Sequence, residues 1–590
     1  MKNTLSAIVF LIFLIIACGI IILSLSSNIA NVFQTDDGDY VEISILYAPE
    51  SDLYLKDAIE SFNNSYKSGI HPVTKARLGS DDVRFKVVGQ SASSGTVKDQ
   101  IVSAVLGVNT DKVSRPTIYA PSVGHWLNLV NFETGRDIFL PEDTVPTAEA
   151  PVVIAIWESR LNWLKQKYPN EEIGWRHLLS VFNSPNGWLD FAPAGTKVRP
   201  TVYYGHTDPR VSSTALSTLI AEYFSAAKYI AGNADLEKLT LNEVNNEAVK
   251  KGVRDIESLI KHYSSRTTEF KEYIAQGPNY LDFVALEEND LIYINQGKTE
   301  YKPPEKLVAL YPSEGTFIHE HPFAIPNATW VSEVQKTGAK IFTDYILTDE
   351  IQQKVLETGF RPVNKNITLA YPIVPELGVD PSKPSKRLSI PTSEVISAVQ
   401  NSWNFVKKRS ELYILLDNSG SMDGEKIIQA KKALEFFAKK LPPDTQFGFY
   451  IFNSEVQKIL DMESIESQGS KLIKALSEVT AKGGTALYDA LYDTVASLQS
   501  IEEKSDNIRA VVLLSDGQDT SSQNKNLNDV VQLITNSQLS SSPILVIPIA
   551  YGSDADISSL NTIARASATR VQTGDTKDID KLLEIIASYF

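Results

Sequence analysis

Two short apolar runs, Leu412–Leu416 and Val511–Leu514, each lead to an aspartate: Asp417 directly, and Asp516 after Ser515. Runs this short and this continuous, with no polar residue alternating through them, fit strands buried on both faces, as in a parallel sheet covered by helices. Phe447–Phe452 and Ile544–Ala550 supply two more strand candidates, and helical stretches intervene. The first of these puts Ile427, Ala430, Leu434, Phe437 and Leu441 on one stripe, with Lys431, Lys432, Lys439 and Lys440 largely outside it. Residues 410–590, about 180 in all, suffice for one doubly wound, Rossmann-like α/β domain, in which ligands gather beyond the carboxyl ends of the strands.

Polar residues crowd those strand ends. Asp417-Asn418-Ser419-Gly420-Ser421 follows the first run, Thr485 sits in Gly483-Gly484-Thr485-Ala486, and Asp516 closes the second run. Alternating Asp, Ser and Ser across a tight loop aims three oxygens at one point, and a hard cation such as Mg²⁺ wants an oxygen octahedron. Ser419, Ser421 and Thr485 offer neutral hydroxyls, which leaves Asp417 and Asp516 to ligate through water or to orient the shell. A cation held mainly by neutral oxygens keeps its charge and attracts an external carboxylate. Capping is the competing reading, because Asp, Asn, Ser and Thr also favour turns and helix starts, and Thr485 could cap a helix from Ala486 to about Leu498. The five positions resemble the metal-ion-dependent adhesion site of von Willebrand factor type A (VWA) domains. That resemblance implies Mg²⁺, with Mn²⁺ or Ca²⁺ as substitutes, and a protein partner that supplies a carboxylate.

At the other end, Leu5–Leu25 carries no charge and is dominated by Ile, Leu, Val and Phe. Roughly 20 such residues cross a bilayer as a helix. Lys2 precedes the segment while Asp36, Asp37 and Asp39 follow it, so residues 1–27 read as a transmembrane signal anchor. A linker over 28–38 then leads to an extracytoplasmic bulk. Two alternatives stay open: Ile15-Ile16-Ala17-Cys18 as a lipobox with Cys18 lipidated, or a removed signal peptide. All three export the chain. Cys18 is the single cysteine, so a disulfide within the exported part is not expected.

The length of 590 residues exceeds one core and predicts about three structural units. A formal charge of −16, with no Lys/Arg-dense aromatic patch, argues against a nucleic-acid partner. Residues 39–366 read as mixed α/β, with strands expected at Tyr40–Tyr47, Val83–Val88, Pro116–Ala120, Val152–Trp157, Val198–Tyr204 and Lys306–Tyr311. Helices are expected at Leu53–Phe62, at Ser212–Ala227, and over Val331–Leu356 with a break at Thr348-Asp349-Glu350. The run Ile43–Pro49, Tyr204-Gly-His-Thr-Asp-Pro209, Tyr311-Pro-Ser-Glu-Gly315 leading to His321–Ile325, and Gly359-Phe-Arg-Pro362 make this region similar to type 2 extracellular solute-binding proteins. The resemblance implies two lobes, with crossing strands near Ala148–Ala155 and Lys306–Tyr311 and a ligand in the cleft between them. Helix N-termini suit anions. Ser93, Ser94 and Thr96 in one cluster, and Ser212, Ser213 and Thr214 in the other, are therefore the candidate ligand contacts, with helix capping as their competing role. Trp126, Trp157 and Tyr203 could pack a ligand, though lone aromatics usually belong to the core.

Pro372, Pro375, Pro381, Pro384 and Pro391 stiffen residues 367–409, which read as a semi-rigid linker whose first part could pack on the preceding lobe, with a helix over Thr392–Phe405 leading into the last domain. His319-Glu320-His321 could place two imidazoles on one strand face, but no third ligand follows at a recognisable spacing. His-Glu-x-x-His, Gly-x-Ser-x-Gly and Walker sequences are all missing, and Glu287-Glu288 reads as a solvated edge. The chain thus reads as a non-enzymatic, membrane-anchored binding protein with a cation-dependent site for protein partners and a cleft for a small ligand. The alternative makes it the solute receptor of an ABC-type importer with an accessory VWA docking domain.

Overall fold

The computed structural model describes residues 40–590 apart from 109–112, 200, 265–266, 502–506, 539–542, 553–554, 568, 578 and 588. The expected anchor and Cys18 lie outside the described residues. Among the described residues no helix is long and apolar enough to cross a membrane.

Among the described residues three sheets organise the fold. The first runs Arg84–Ser91, Tyr40–Tyr47, Ile118–Ala120, Pro322–Ala324, Thr144–Pro146 in spatial order. Tyr40–Tyr47 pairs in parallel with both of its neighbours, so its carboxyl end opens on the same side as theirs. The second sheet is centred on Ala148–Trp157, which pairs antiparallel with Phe283–Glu287, Leu307–Leu310 and Ile318–His319. Beyond Phe283–Glu287 lie Tyr204–Thr207 and Ile260–Ser264. These sheets form two lobes. The chain crosses between them first at Pro146–Ala148 and returns between Ile318–His319 and Pro322–Ala324; a third passage, Arg361–Pro362, pairs with Ala148 and Glu149.

The first crossing lies at the start of the expected stretch, but the second does not lie at Lys306–Tyr311. Leu307–Leu310 stays inside the second lobe, because its partners are Ile154–Trp157. The strand expected at Val198–Tyr204 begins only at Tyr204, since Arg199 is drawn off to an ion pair with buried Asp282 at 2.6 Å. Thr348 stands at the N-cap position of a second helix, Asp349–Glu357, so the expected helix over Val331–Leu356 does break there, after Glu333–Ile346.

The lobes are closed on each other. Gly95 N–H donates to Val211 O at 3.0 Å across the junction. A β-carbon on Gly95 would stand 1.9 Å from the carbonyl oxygen of Arg210, an approach only glycine permits.

The first part of residues 367–409 packs on the second lobe as expected, and the rest also lies against the body and does not span open solvent as a spacer. Ile373 and Val379 are buried with Leu291, Ile292 and Leu307, and Lys386 and Leu388 bond to the backbone of Thr316. Helix Ser393–Val406 then straps both lobes. Ser393 Oγ reaches Asn128 O in the first, while Gln400 Nε2 reaches Pro209 O and Ser402 Oγ accepts from Tyr223 Oη in the second. Val395, Ile396, Val399, Trp403 and Val406 join one continuous apolar core that extends into the C-terminal domain.

That domain is a six-stranded sheet in the order Val456–Ser464, Gln446–Phe452, Arg409–Asp417, Asn507–Ser515, Ile544–Tyr551, Gln572–Gly574. All pairs are parallel except the edge strand Val456–Ser464. The order reverses between Arg409–Asp417 and Asn507–Ser515, which creates a crevice beyond their carboxyl ends. The opposite end docks on the second lobe. Lys408 N–H donates to Tyr263 Oη at 2.7 Å, Lys408 Nζ reaches Ile260 O at 2.9 Å, and Tyr263 N–H meets Tyr589 O at 3.4 Å.

Trp403→Ala is expected to lower unfolding free energy by about 3–5 kcal/mol in urea titration, because it removes a fully packed indole shared by strap and lobe. Gly95→Ala is expected to part the lobes and enlarge the radius of gyration in solution scattering. An unchanged curve together with an unchanged melting temperature would contradict the closed contact.

Candidate functional site

Asp417 is the last residue of its strand and is wholly buried. Ser419 N–H donates to its Oδ1 at 2.8 Å and Ser515 Oγ to its Oδ2 at 2.7 Å, so both carboxylate oxygens are fixed. Asp516, equally buried, follows the neighbouring strand. Ser421 Oγ donates to Asp516 Oδ1 at 2.7 Å and lies 3.0 Å from Ser419 Oγ. Gly420 N–H bonds Gly483 O at 3.0 Å, which draws the loop bearing Thr485 onto the first loop. A β-carbon on Gly517 would lie 3.6 Å from Ser421 Oγ and 3.7 Å from Thr485 Oγ1, so these hydroxyls flank one point. All five expected residues therefore surround the crevice at the strand-order reversal, with Ser421 exposed at its rim.

Capping does not account for them. Helix Leu487–Gln499 takes Ala486, not Thr485, as its N-cap, and Ser419 makes no side-chain cap bond to the short turn after it. Burial raises the Asp417 pKa; hydrogen bonds from Ser419 and Ser515 oppose that rise, and the charge of Asp516 adds to it. Lys426, in the first turn of helix Glu425–Lys440, places Nζ 2.6 Å from Asp516 Oδ2. Nothing in the sequence marks this lysine, because a lysine on a helix flank is ordinarily solvated. The donor set fits a divalent cation: two buried carboxylates carry charge that wants compensation, and every candidate ligand is a hard oxygen suited to Mg²⁺, Mn²⁺ or Ca²⁺.

The cleft collects part of the second set. Ser93 and Ser94 from one lobe face Ser212 and Ser213 from the other, with Glu50, Ser122 and Thr267 beside them. Thr96 is exposed, and Thr214 is buried in helix Ser213–Tyr229; neither lines the space. The space between the facing serines is about 20 Å³, room for about one water molecule. The second lobe's hydroxyls are engaged within the protein: Trp126 Nε1 donates to Ser213 Oγ at 2.9 Å, and Ser212 Oγ lies 2.6 Å from Thr267 Oγ1 while capping Ala215 N–H. Trp126, Trp157 and Tyr203 all belong to apolar cores.

Sequence reasoning missed the acids here. Glu50 is pushed up to about 7 by burial and by the charges of Glu287 and Asp290. Glu287 is no solvated edge but sits wholly buried at the hinge. His319 Nδ1 and His321 Nε2 contact its two oxygens at 2.7 and 3.1 Å. The remaining ring nitrogens meet Ser217 Oγ at 2.9 Å and Ser51 Oγ at 3.1 Å. The chain Ser51–His321–Glu287–His319–Ser217 thus ties one lobe to the other, and both imidazoles are fully used. Burial alone would raise Glu287, but the charge of His321 and the two histidine hydrogen bonds outweigh it and hold the group down to about 2. Burial would lower His321, yet Glu287 raises it above the usual histidine value.

Residues 411–584 match the family model of the von Willebrand factor type A domain. A von Willebrand factor A domain-containing protein of Dictyostelium discoideum is 31% identical over 118 residues, 19% of this chain and 12% of that protein. Inter alpha-trypsin inhibitor, heavy chain 4, of Mus musculus is 28% identical over 123 residues, 20% of this chain and 13% of the relative. The chain therefore spans only a small part of these relatives' length. Among solved structures, a von Willebrand factor type A protein from Catenulispora acidiphila shares 21% identity over 31% of this chain and 43% of its own, at a TM-score of 0.27. A periplasmic thiamin binding protein shares 13% identity over 64% of this chain and 99% of its own, at a TM-score of 0.42. Scores this low describe a likeness only, and the two-lobed form stands on the strand orders given above. With the family match over the six-stranded sheet and five oxygen-bearing residues around its crevice, the C-terminal unit of this chain is a von Willebrand factor type A domain.

Proposed function

We propose that the chain is a membrane-tethered, extracytoplasmic binding protein. Its VWA domain holds Mg²⁺, or Mn²⁺ or Ca²⁺ in its place, through Asp417, Ser419, Ser421, Thr485 and Asp516, and recruits a protein partner through that partner's carboxylate. The observation that carries this reading is the convergence of five hydroxyl and carboxyl residues from three distant segments around one crevice. Neutral hydroxyls leave the cation electrophilic, and the exposed rim at Ser421 gives an acidic side chain access. Export rests on the uncharged segment Leu5–Leu25, with a lipidated Cys18 as the alternative tether. The role is binding without catalysis.

The cleft adds a small-ligand function, which requires the closed lobes to part. Its hydroxyls together with Glu50 favour a neutral polyol or a cation over the anion that helix N-termini alone would suit. The meeting of Ser93 and Ser94 with Ser212 and Ser213 supports a second reading, the solute receptor of an ABC-type importer with the VWA domain as docking accessory.

Asp417→Ala is expected to weaken Mn²⁺ binding by about 10- to 100-fold in isothermal titration, with the domain's circular dichroism retained. Partner binding that persists in excess chelator would sink the adhesion reading. Lys426→Met is expected to destabilise the domain in chelator by about 1–3 kcal/mol, because it strips buried Asp516 of its ammonium, and Mg²⁺ is expected to restore most of the loss. Equal destabilisation with and without cation would contradict a shared charge-balancing role.

A further inference from the structure

Away from both sites, the second lobe buries three ligand-bearing side chains against one another. His206 comes from strand Tyr204–Thr207, Glu222 from the middle of helix Ser213–Tyr229, and Glu257 from the end of helix Glu247–Glu257. One ligand atom from each lies within 4.8 Å of the others, and all three residues are at most 2% exposed.

The two carboxylates are held in the same way. Tyr204 Oη donates to Glu222 Oε1 at 3.1 Å, and Tyr263 Oη donates to Glu257 Oε2 at 2.9 Å. The other oxygen of each, Glu222 Oε2 and Glu257 Oε1, has no hydrogen-bond donor among the described residues. Neither ring nitrogen of His206 has a hydrogen-bond partner there either, and its Nδ1 lies 3.8 Å from Glu257 Oε1. Buried polar atoms are almost always partnered, so four such atoms in one small volume need an explanation. One divalent ion explains three of them, the two carboxylate oxygens and one ring nitrogen. It neutralises two carboxylates, accepts a neutral imidazole, and leaves the tyrosine hydroxyls as the outer bonds that orient the ligands.

We propose that His206, Glu222 and Glu257 form a structural site for a first-row divalent transition metal of the zinc type. An imidazole with two carboxylates suits zinc better than the hard cations of the VWA site, and a water can complete the tetrahedron. The competing arrangement is a proton shared between Glu222 and Glu257. Burial raises both carboxyls, Glu257 to about 7, and holds His206 neutral by lowering it to about 3.

The position gives the metal a task. The Trp403 ring of the strap helix lies 5.4 Å from that of His206, and Tyr263, which holds Glu257, also accepts the backbone N–H of Lys408 where the VWA domain begins. The ion would brace the junction of lobe, strap and VWA domain.

The test is elemental analysis with X-ray absorption on the full chain, purified in detergent after expression with zinc and exchanged into metal-free buffer. About one first-row metal per chain with imidazole scattering is expected, retained in Asp417→Ala and reduced to below about a tenth in Glu222→Gln and in His206→Ala. A well-folded wild-type chain that retains below about a tenth of an equivalent overturns the site and leaves the shared proton. Bound metal without imidazole scattering, or Glu222→Gln retaining the wild-type amount, overturns it as well. Because the wild-type measurement alone decides whether metal and imidazole are present, misfolding of a variant does not protect the proposal.

Discussion

Two carboxylates buried side by side at the ends of neighbouring strands set the terms for the C-terminal half. Asp417 and Asp516 stand where the strand order reverses, and burial, with the charge of Asp516 beside it, raises the Asp417 pKa. The surrounding hydroxyls, the loop held down by Gly420 N–H on Gly483 O, and the Lys426 ammonium all answer that one electrostatic demand. A doubly wound sheet meets it at its natural crevice, because that is where loops from opposite faces diverge and leave backbone free to approach.

The two-lobed half applies the same economy to a hinge. Glu287 is buried without ruinous cost because His319 and His321 bracket its oxygens, and each histidine is held by a serine from a different lobe. Glu50 has no comparable support. It faces Glu287 and Asp290 and gives way by becoming a weaker acid. Closure by backbone contact at Gly95 then leaves the facing serines to bond within the protein.

Where burial on two faces writes an unbroken apolar run, the sequence can be read directly. Leu412–Leu416, Phe447–Phe452, Val511–Leu514 and Ile544–Ala550 all fall inside observed strands, and Tyr40–Tyr47 matches its strand from end to end. The edge strand Val456–Ser464 escaped notice because it is largely solvated and so carries no apolar run. The return crossing escaped because its strands, Ile318–His319 and Pro322–Ala324, are too short to hold a pattern. Motif spacing located the five oxygen-bearing residues of the crevice, since a tight loop fixes three of them within five residues. No spacing links His206, Glu222 and Glu257, which meet only through tertiary packing. The serine clusters were found as helix starts, but their engagement by Trp126 and Thr267 depends on how the lobes close, which local sequence does not encode.

The apolar core that runs unbroken from the lobes through helix Ser393–Val406 into the VWA sheet bears on how the molecule can be dissected. The amino-terminal ends of the VWA strands are seated on the second lobe, while the crevice lies at the far end of strand Arg409–Asp417, about 26 Å away at the usual rise per residue. A recombinant fragment cut at the family boundary would carry an intact crevice above a bare, greasy underside, and would self-associate through a surface that the whole chain never displays.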